Sequence, residues 1–374
     1  MEAKGFEIGP IRPPSEAKSL LLRVTRNCPW NKCNFCTLYK RDRFGTRPIE
    51  DIKADIDRDA LYRDKIMVCP MGELNGLLGK MPEESSEAFF HVLQWIGYGE
   101  ESVFLQDANT MVLSHDKLLE ILVYLKEKLP KIKRVTSYGR VDSLTRFTTG
   151  QLAGLRKAGL DRIHSGFESG SDKVLALINK GYTKAQEIEA GQKVKAAGIE
   201  LSVYYMPGCG GAGLSDENAL ETAEVINKVN PDFVRIRTFV AKEDTKMFVD
   251  IKEGQIAECN DKGKALELKK MIESIDGADG YLYSDHIVNL LETVNGNMKT
   301  DKAKMLSVFD GFLALAPADQ RRYQIARRLG MIISPSHLSF LPGGHREVID
   351  SYLSQYGSEE AFESLLSKLL RRYI

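Results

Sequence analysis

"LLLRVTRNCPWNKCNFC", residues 20–36, is the stretch from which the chain is best read. An apolar run, Leu20–Arg26, has the composition of a strand, and Cys28, Cys33 and Cys36 follow it directly at C-x4-C-x2-C spacing. They are half of the six cysteines in 374 residues. Six is too sparse for a disulfide scaffold, so the thiols point to metal or redox chemistry in a reducing, cytoplasmic setting. Four readings stay open on these residues: unliganded loop thiols and three kinds of metal site. Structural zinc wants four ligands, commonly in two pairs, but no second pair exists and His91 is far along the chain. A plant-type [2Fe–2S] cluster has this spacing plus a later cysteine; with Cys69 as that ligand the protein is an electron-transfer module. A [4Fe–4S] cluster held by three cysteines leaves one iron for a ligand that is not protein, and an amine with a carboxylate suits that place.

Outward from this stretch, strand-like runs alternate with helix-period segments. Strands are expected at Leu20–Arg26, Ser102–Asp107, Arg134–Arg140, Arg162–Ser169, Glu200–Pro207 and Phe233–Val240. Helices are expected at Pro48–Lys65, Ser114–Leu129, Thr148–Ala158, from Ser171 through Asn179 to Ala197, and Ser215–Val229, with Ser114 and Ser171 as N-caps. Six strand-then-helix repeats favour a parallel sheet, either doubly wound or a full or partial (β/α) barrel, with ligands at the C-terminal strand ends. Residues 1–19 read as a loose lead-in, 66–101 as an insertion, and 246–374 as mainly helical, including a helix at His286–Thr293. Lysine plus arginine equals aspartate plus glutamate at 52 each, which gives no electrostatic reason for a nucleic-acid partner. No apolar run is long enough to span a membrane.

Three motifs together carry a family resemblance. "RNCPWNKCNFC" after a strand, "VFLQDANTMVL" at residues 103–113, and "RIHSGFESGSDKVLALINKGYT" at residues 162–183 resemble the radical S-adenosylmethionine (radical SAM) family over about residues 18–245. The likeness is to a Gly-Phe-Glu-Ser-Gly-containing branch without a cobalamin domain. The spacing departs from the family's commonest C-x3-C-x2-C by one residue. The resemblance implies an α/β fold, a partial six-stranded (β/α)6 barrel with a helical C-terminal extension that covers the barrel mouth or docks a partner. It implies an enzyme with an oxygen-sensitive [4Fe–4S] cluster and S-adenosylmethionine (SAM). Cleavage of SAM would give a 5′-deoxyadenosyl radical acting on a small molecule or peptide, with electrons from a ferredoxin or flavodoxin.

The resemblance also implies roles. Cys28, Cys33 and Cys36 would ligate three irons, and Phe35 would pack beside the adenine. Gln106, Asp107 and Asn109 would meet the SAM amino group, Glu168 its ribose or amino group, and Lys180 its carboxylate. Ser137, Arg140 and Tyr204 are weaker candidates for the cofactor side. Arg235 and Arg237 in "FVRIRTF" share one strand face, either the lumen or the outer surface. "PGCGGAGLS", Pro207–Ser215, is a candidate cradle for a phosphate or part of the cofactor, or a flexible loop. Cys69, Cys209 and Cys259 are candidates for an auxiliary cluster, and His286 for a substrate-side acid or base. Nothing at the C-terminal end reads as the RNA-binding β-barrel of methylthiotransferases.

Overall fold

The computed structural model describes residues 7–79 and 86–373. Its strands are β1 (Leu20–Arg23), β2 (Thr25–Arg26), β3 (Gly45–Thr46), β4 (Ser102–Gln106), β5 (Arg134–Tyr138), β6 (Leu160–Glu168), β7 (Glu200–Tyr205), β8 (Phe233–Ile236), β9 (Tyr281–Tyr283) and β10 (Asn295–Asn297). The chain is an α/β protein whose main strands run mostly parallel, as a partial (β/α) barrel requires. It divides into two compact units, each discontinuous in sequence.

The first unit runs to Asn31 and adds Leu38–Ser165 and Gln192–Leu201. Here β1 pairs with β4, β4 with β5 and β5 with β6, all in parallel, while β2 and β3 form a small antiparallel pair. The strands are apolar on both faces (Leu20, Leu22, Val103, Phe104 and Leu105 are all buried), as strands with covered faces must be. Helices α1 (Ile49–Val68), α2 (Leu74–Leu78), α3 (Ser86–Gly97), α4 (His115–Lys128), α5 (Val141–Leu144) and α6 (Thr149–Lys157) follow. Ser114 caps α4 through the Lys117 N–H, and Thr148 with Gln151 forms a capping box on α6.

The second unit holds Lys32–Thr37, Gly166–Gly191 and the chain from Ser202 on. Within it β7 pairs with β8 and β8 with β9 in parallel, and β10 closes antiparallel on β9. Its helices are α7 (Asp172–Leu177), α8 (Lys184–Ala196), whose last residues belong to the first unit, α9 (Ser215–Val229), α10 (Lys246–Lys252), α11 (Asp261–Ser274), α12 (Lys302–Leu313), α13 (Pro317–Arg328), α14 (Gly343–Gln355) and α15 (Glu359–Leu370).

Several expectations need correction. The first strand stops at Arg23 and resumes as β2, which turns away to pair with β3. The helix expected from Ser171 to Ala197 breaks into α7 and α8, because Asn179 and Gly181 take left-handed conformations at φ 52° and 85°. Beyond residue 245 the sheet continues into β9 and β10; three-residue strands are too short to show alternation. His286–Thr293 is a set of turns. Asn289 there accepts from the Thr238 N–H and hydroxyl and donates to the Ile236 carbonyl, local bonds that compete with a helix. The 66–101 segment contains the end of α1, α2 and α3, and residues 80–85 of it lie outside the described residues.

The lead-in is not loose where it is described. The Gly9 N–H donates to Gln106 Oε1 at 2.9 Å, and Gln106 Nε2 donates to the Ile11 carbonyl at 2.8 Å. Glu16, fully buried, receives Ser19 at 2.9 Å, the Arg134 guanidinium at 2.5 Å and His164 Nε2 at 3.2 Å. Burial alone would raise the Glu16 pKa. The His164 hydrogen bond and the Arg134 charge outweigh it and lower the value from 4.5 to about 2. A depressed folded pKa contributes stability that is present above pH 4.5 and is lost as pH falls toward 2. Glu16→Gln is therefore expected to cost about 3 kcal/mol near neutral pH. It should also flatten the loss of stability between pH 4.5 and 2, as read by urea unfolding across that range. An unchanged acid limb would remove Glu16 from this role.

Candidate active site

The cysteine loop is held at named points. In the first unit, Asp107 at the end of β4 is fully buried and accepts from Arg23 Nη2 at 2.9 Å, from the Asn27 N–H at 3.1 Å and from the Tyr39 hydroxyl. Asn27 immediately precedes Cys28, and Tyr39 lies three residues past Cys36. One carboxylate thus ties both ends of the loop. Burial and this carboxylate push the Tyr39 pKa up, so the phenol stays protonated and donates. Arg23 and Arg26 also meet Glu7. The Asn31 N–H points at Cys28 Sγ at 3.4 Å.

In the second unit the middle of the loop is fixed by Asn34. Its N–H and side-chain amide donate to the Ile178 and Leu177 carbonyls at 2.9 and 2.7 Å, and its own carbonyl accepts from the Met247 N–H. Phe35 packs against a buried cluster of Val174, Ile178, Met206, Cys209, Phe239, Ala241 and Met247. Above its ring, at 5.5 Å, lies the Lys180 ammonium. Lys180 also bonds Glu168 Oε1 at 2.9 Å. Glu168 ends β6 at φ 69°, a left-handed conformation that costs a non-glycine residue about 1 kcal/mol. Gly166 makes the arrangement feasible, since a Cβ there would lie 2.3 Å from the Glu168 carboxylate.

The expected site residues therefore separate. Phe35, Glu168 and Lys180 are brought together beside Cys36. Gln106, Asp107 and Asn109 are fully buried and engaged inside the protein. Gln106 holds the lead-in and Asp107 the loop. Asn109 donates to Ser143 Oγ at 2.8 Å and accepts the Arg140 N–H at 3.0 Å. These bonds give the three residues structural roles at the end of β4. Ser137 donates to the Tyr138 carbonyl at 3.0 Å, and the Arg140 side chain pairs with Asp142 and stacks over Trp30. Tyr204 lies under the Arg237 guanidinium. The loop-anchoring roles of Asn34 and Tyr39 were missed; an Asn and a Tyr inside a cysteine loop carry no signal until their partners are known.

Two cysteine expectations change. Cys69 is the C-cap of α1, whose first turn follows directly on the β2–β3 pair that leads into Cys28. A helix of 20 residues spans about 30 Å, which puts Cys69 a helix length from Cys28 and unsuited as a fourth ligand. Cys209 and Cys259 come together around Glu267 in the second unit. Burial raises both thiol pKa values, that of Cys259 to about 11, so both stay protonated. The glycine-rich loop 207–215 is no phosphate cradle. Its Gly208 N–H, with Gly208 at φ 86°, donates to Glu267, which also accepts from Tyr205, Ser215 and Asn218 at 2.7–2.8 Å. A protein carboxylate fills the place an anion would take.

No cysteine forms a disulfide, and among the described residues no three His, Cys, Asp or Glu side chains converge on a single-ion site. A cubane takes one thiolate per iron, and three free cysteines at C-x4-C-x2-C spacing supply the chemistry of such a donor set.

The radical SAM superfamily model matches residues 22–226, and the chain belongs to this superfamily. It is an enzyme, and its cofactors are the [4Fe–4S] cluster and SAM that the family uses. A tRNA-2-methylthio-N(6)-dimethylallyladenosine synthase of Syntrophus aciditrophicus (strain SB) is 27% identical over 230 residues, 60% of this chain and 42% of its own. The protein of that name from Carboxydothermus hydrogenoformans (strain ATCC BAA-161 / DSM 6008 / Z-2901) is 26% identical over 221 residues, 56% and 47%. The chain spans less than half the length of these curated relatives. The methyltransferase TsrM of Kitasatospora setae, solved with cobalamin and a [4Fe–4S] cluster, aligns at 12% identity over 91% of this chain and 62% of its own, with a TM-score of 0.46. No described helix is long and apolar enough to cross a membrane.

Because Asp107 closes the loop at both ends, Asp107→Ala is expected to cost about 3 kcal/mol, by leaving the partly buried Arg23 with only the more distant Glu7 carboxylate, and the Asn27 N–H and Tyr39 hydroxyl without their acceptor. It should also lower iron retention after anaerobic reconstitution several-fold. Cys69→Ala should keep the wild-type iron content of about four per chain. Loss of iron in Cys69→Ala would restore Cys69 as a ligand.

Proposed function

We propose that the chain cleaves SAM reductively at a cluster held by Cys28, Cys33 and Cys36 and uses the resulting radical on a small molecule or peptide. The observation that carries this reading is the meeting of Phe35, which directly precedes Cys36, with the distant Lys180 and, through it, Glu168. When bound, the cluster supplies an electron and an iron without a protein thiolate, so that SAM yields methionine and a 5′-deoxyadenosyl radical that takes hydrogen from the substrate.

The residues of the chain bind and orient. The amino-acid head of SAM carries opposite charges, and the Glu168–Lys180 pair offers their complements: Lys180 for the carboxylate, Glu168 for the ammonium or ribose hydroxyls. Both partners are mostly buried, which strengthens such contacts over their value in water. The Phe35 ring gives the adenine a flat apolar surface. A ferredoxin or flavodoxin supplies the electron. The curated relatives are named for tRNA modification. This chain's equal counts of acidic and basic residues favour a substrate other than a polyanion.

Anaerobically reconstituted protein with dithionite and SAM should release 5′-deoxyadenosine, measured by liquid chromatography, and Cys28→Ala, Cys33→Ala and Cys36→Ala should each abolish it. No release from protein carrying a complete cluster would contradict the proposal.

A further inference from the structure

In the second unit, neighbouring strands place Tyr204, Arg235 and Tyr283 in register, side by side across β7, β8 and β9. The alternate residues Tyr205, Ile236 and Leu282 are buried, and Tyr205 reaches Glu267 of α11. Arg235 therefore stands on the sheet face opposite α11, at the C-terminal end of β8, and Arg237 joins it two residues on. This settles which face the arginine pair occupies.

Arg235 is 5% exposed, and its side chain makes no hydrogen bond among the described residues. Its Nε has no partner, and the nearest carboxylate, Asp285, stands 3.5 Å from Nη1. Asp285 is shared with Arg237 at 3.9 Å and is 40% exposed. The Tyr283 ring lies under the Arg235 guanidinium at 5.2 Å and the Tyr204 ring under that of Arg237 at 5.5 Å. Burial, together with the Arg237 charge, lowers the His286 pKa to about 4, so the imidazole adds no charge near neutral pH. Arg235 and Arg237 thus share the half-exposed Asp285, and Arg237 also donates to the Ile236 carbonyl. Buried donors in native proteins are almost always met, and a buried cation is normally paired. Arg235 is built as a fork for a planar oxyanion, and among the described residues only the half-exposed Asp285 comes near it, at 3.5 Å.

We propose that Arg235, with Arg237, binds an anionic group of the substrate, a carboxylate or a phosphate, between the rings of Tyr204 and Tyr283. This rests on the proposed function for its meaning, because it names the substrate class of the same enzyme: a molecule carrying an oxyanion away from the hydrogen that is abstracted.

The test uses the reconstituted protein saturated with SAM, titrated calorimetrically at fixed ionic strength with inorganic phosphate and, separately, with succinate. Saturable binding of at least one anion is expected, weakened about tenfold or more in Arg235→Gln. Arg235→Lys, which keeps the charge and is the safer variant for folding, should bind about threefold or more weakly because it loses the fork. Preference for phosphate marks a phosphorylated substrate, and preference for succinate a carboxylate one. No saturable binding, equal affinity in both variants, or anion binding seen only without SAM would overturn the proposal. The titration needs no turnover, so a failure to release 5′-deoxyadenosine would count against the proposed function and not against this site.

Discussion

A single buried carboxylate governs the first unit. Asp107 sits at the tip of β4 with donors from β1, from the residue before the first cysteine and from beyond the last one. A carboxylate taken out of water is costly unless its acceptor sites are filled, and here the charge is matched by Arg23 and neutral donors complete the set. The same bonds that make Asp107 tolerable in the interior fix the start and end of the loop that offers the thiols. A long segment without helix or strand is otherwise expensive to order. Asn34 does the equivalent for the middle of the loop in the second unit, spending its backbone and side-chain groups on the end of α7 and the start of α10.

The second unit repeats the logic with two carboxylates, one met by neutral donors and one by a lysine. Glu267 is a structural network: four neutral donors meet it, and it locks the glycine-rich turn after β7 onto α11. Glu168 and Lys180 are different. They meet each other and an aromatic ring, and Glu168 holds a strained backbone at the end of β6, a combination commonest at ligand sites. Arg235 is a third case, a buried cation that makes no hydrogen bond among the described residues and meets only the half-exposed Asp285 at 3.5 Å. Degree of satisfaction therefore sorts polar groups that look alike in sequence.

Much of the fold was legible because strand-then-helix alternation and caps such as Ser114 and Ser171 are local signals. The thiol spacing and the Gly-Phe-Glu-Ser-Gly segment pointed to the family for the same reason. What stayed hidden depends on distant partners. Gln106, Asp107 and Asn109 look like a ligand-facing strand end. Only the positions of Gly9, Arg23, Tyr39 and Ser143 show where their polar atoms go. Cys69 satisfied a spacing rule that ignores the helix in between. Strand β9 lies within the strand-like Gly280–Ser284, whereas β10 was too short to register as a pattern, and the turns around Asn289 imitate a helical period.

The account depends most directly on one iron that carries no protein thiolate and accepts SAM. Electron–nuclear double resonance of the reduced cluster with SAM labelled with 15N at its amino group tests this. A nitrogen hyperfine coupling to the cluster, present with SAM and absent without it, is the result expected. A cluster spectrum unchanged by SAM, with sulfur from a fourth cysteine completing its ligands, would contradict it.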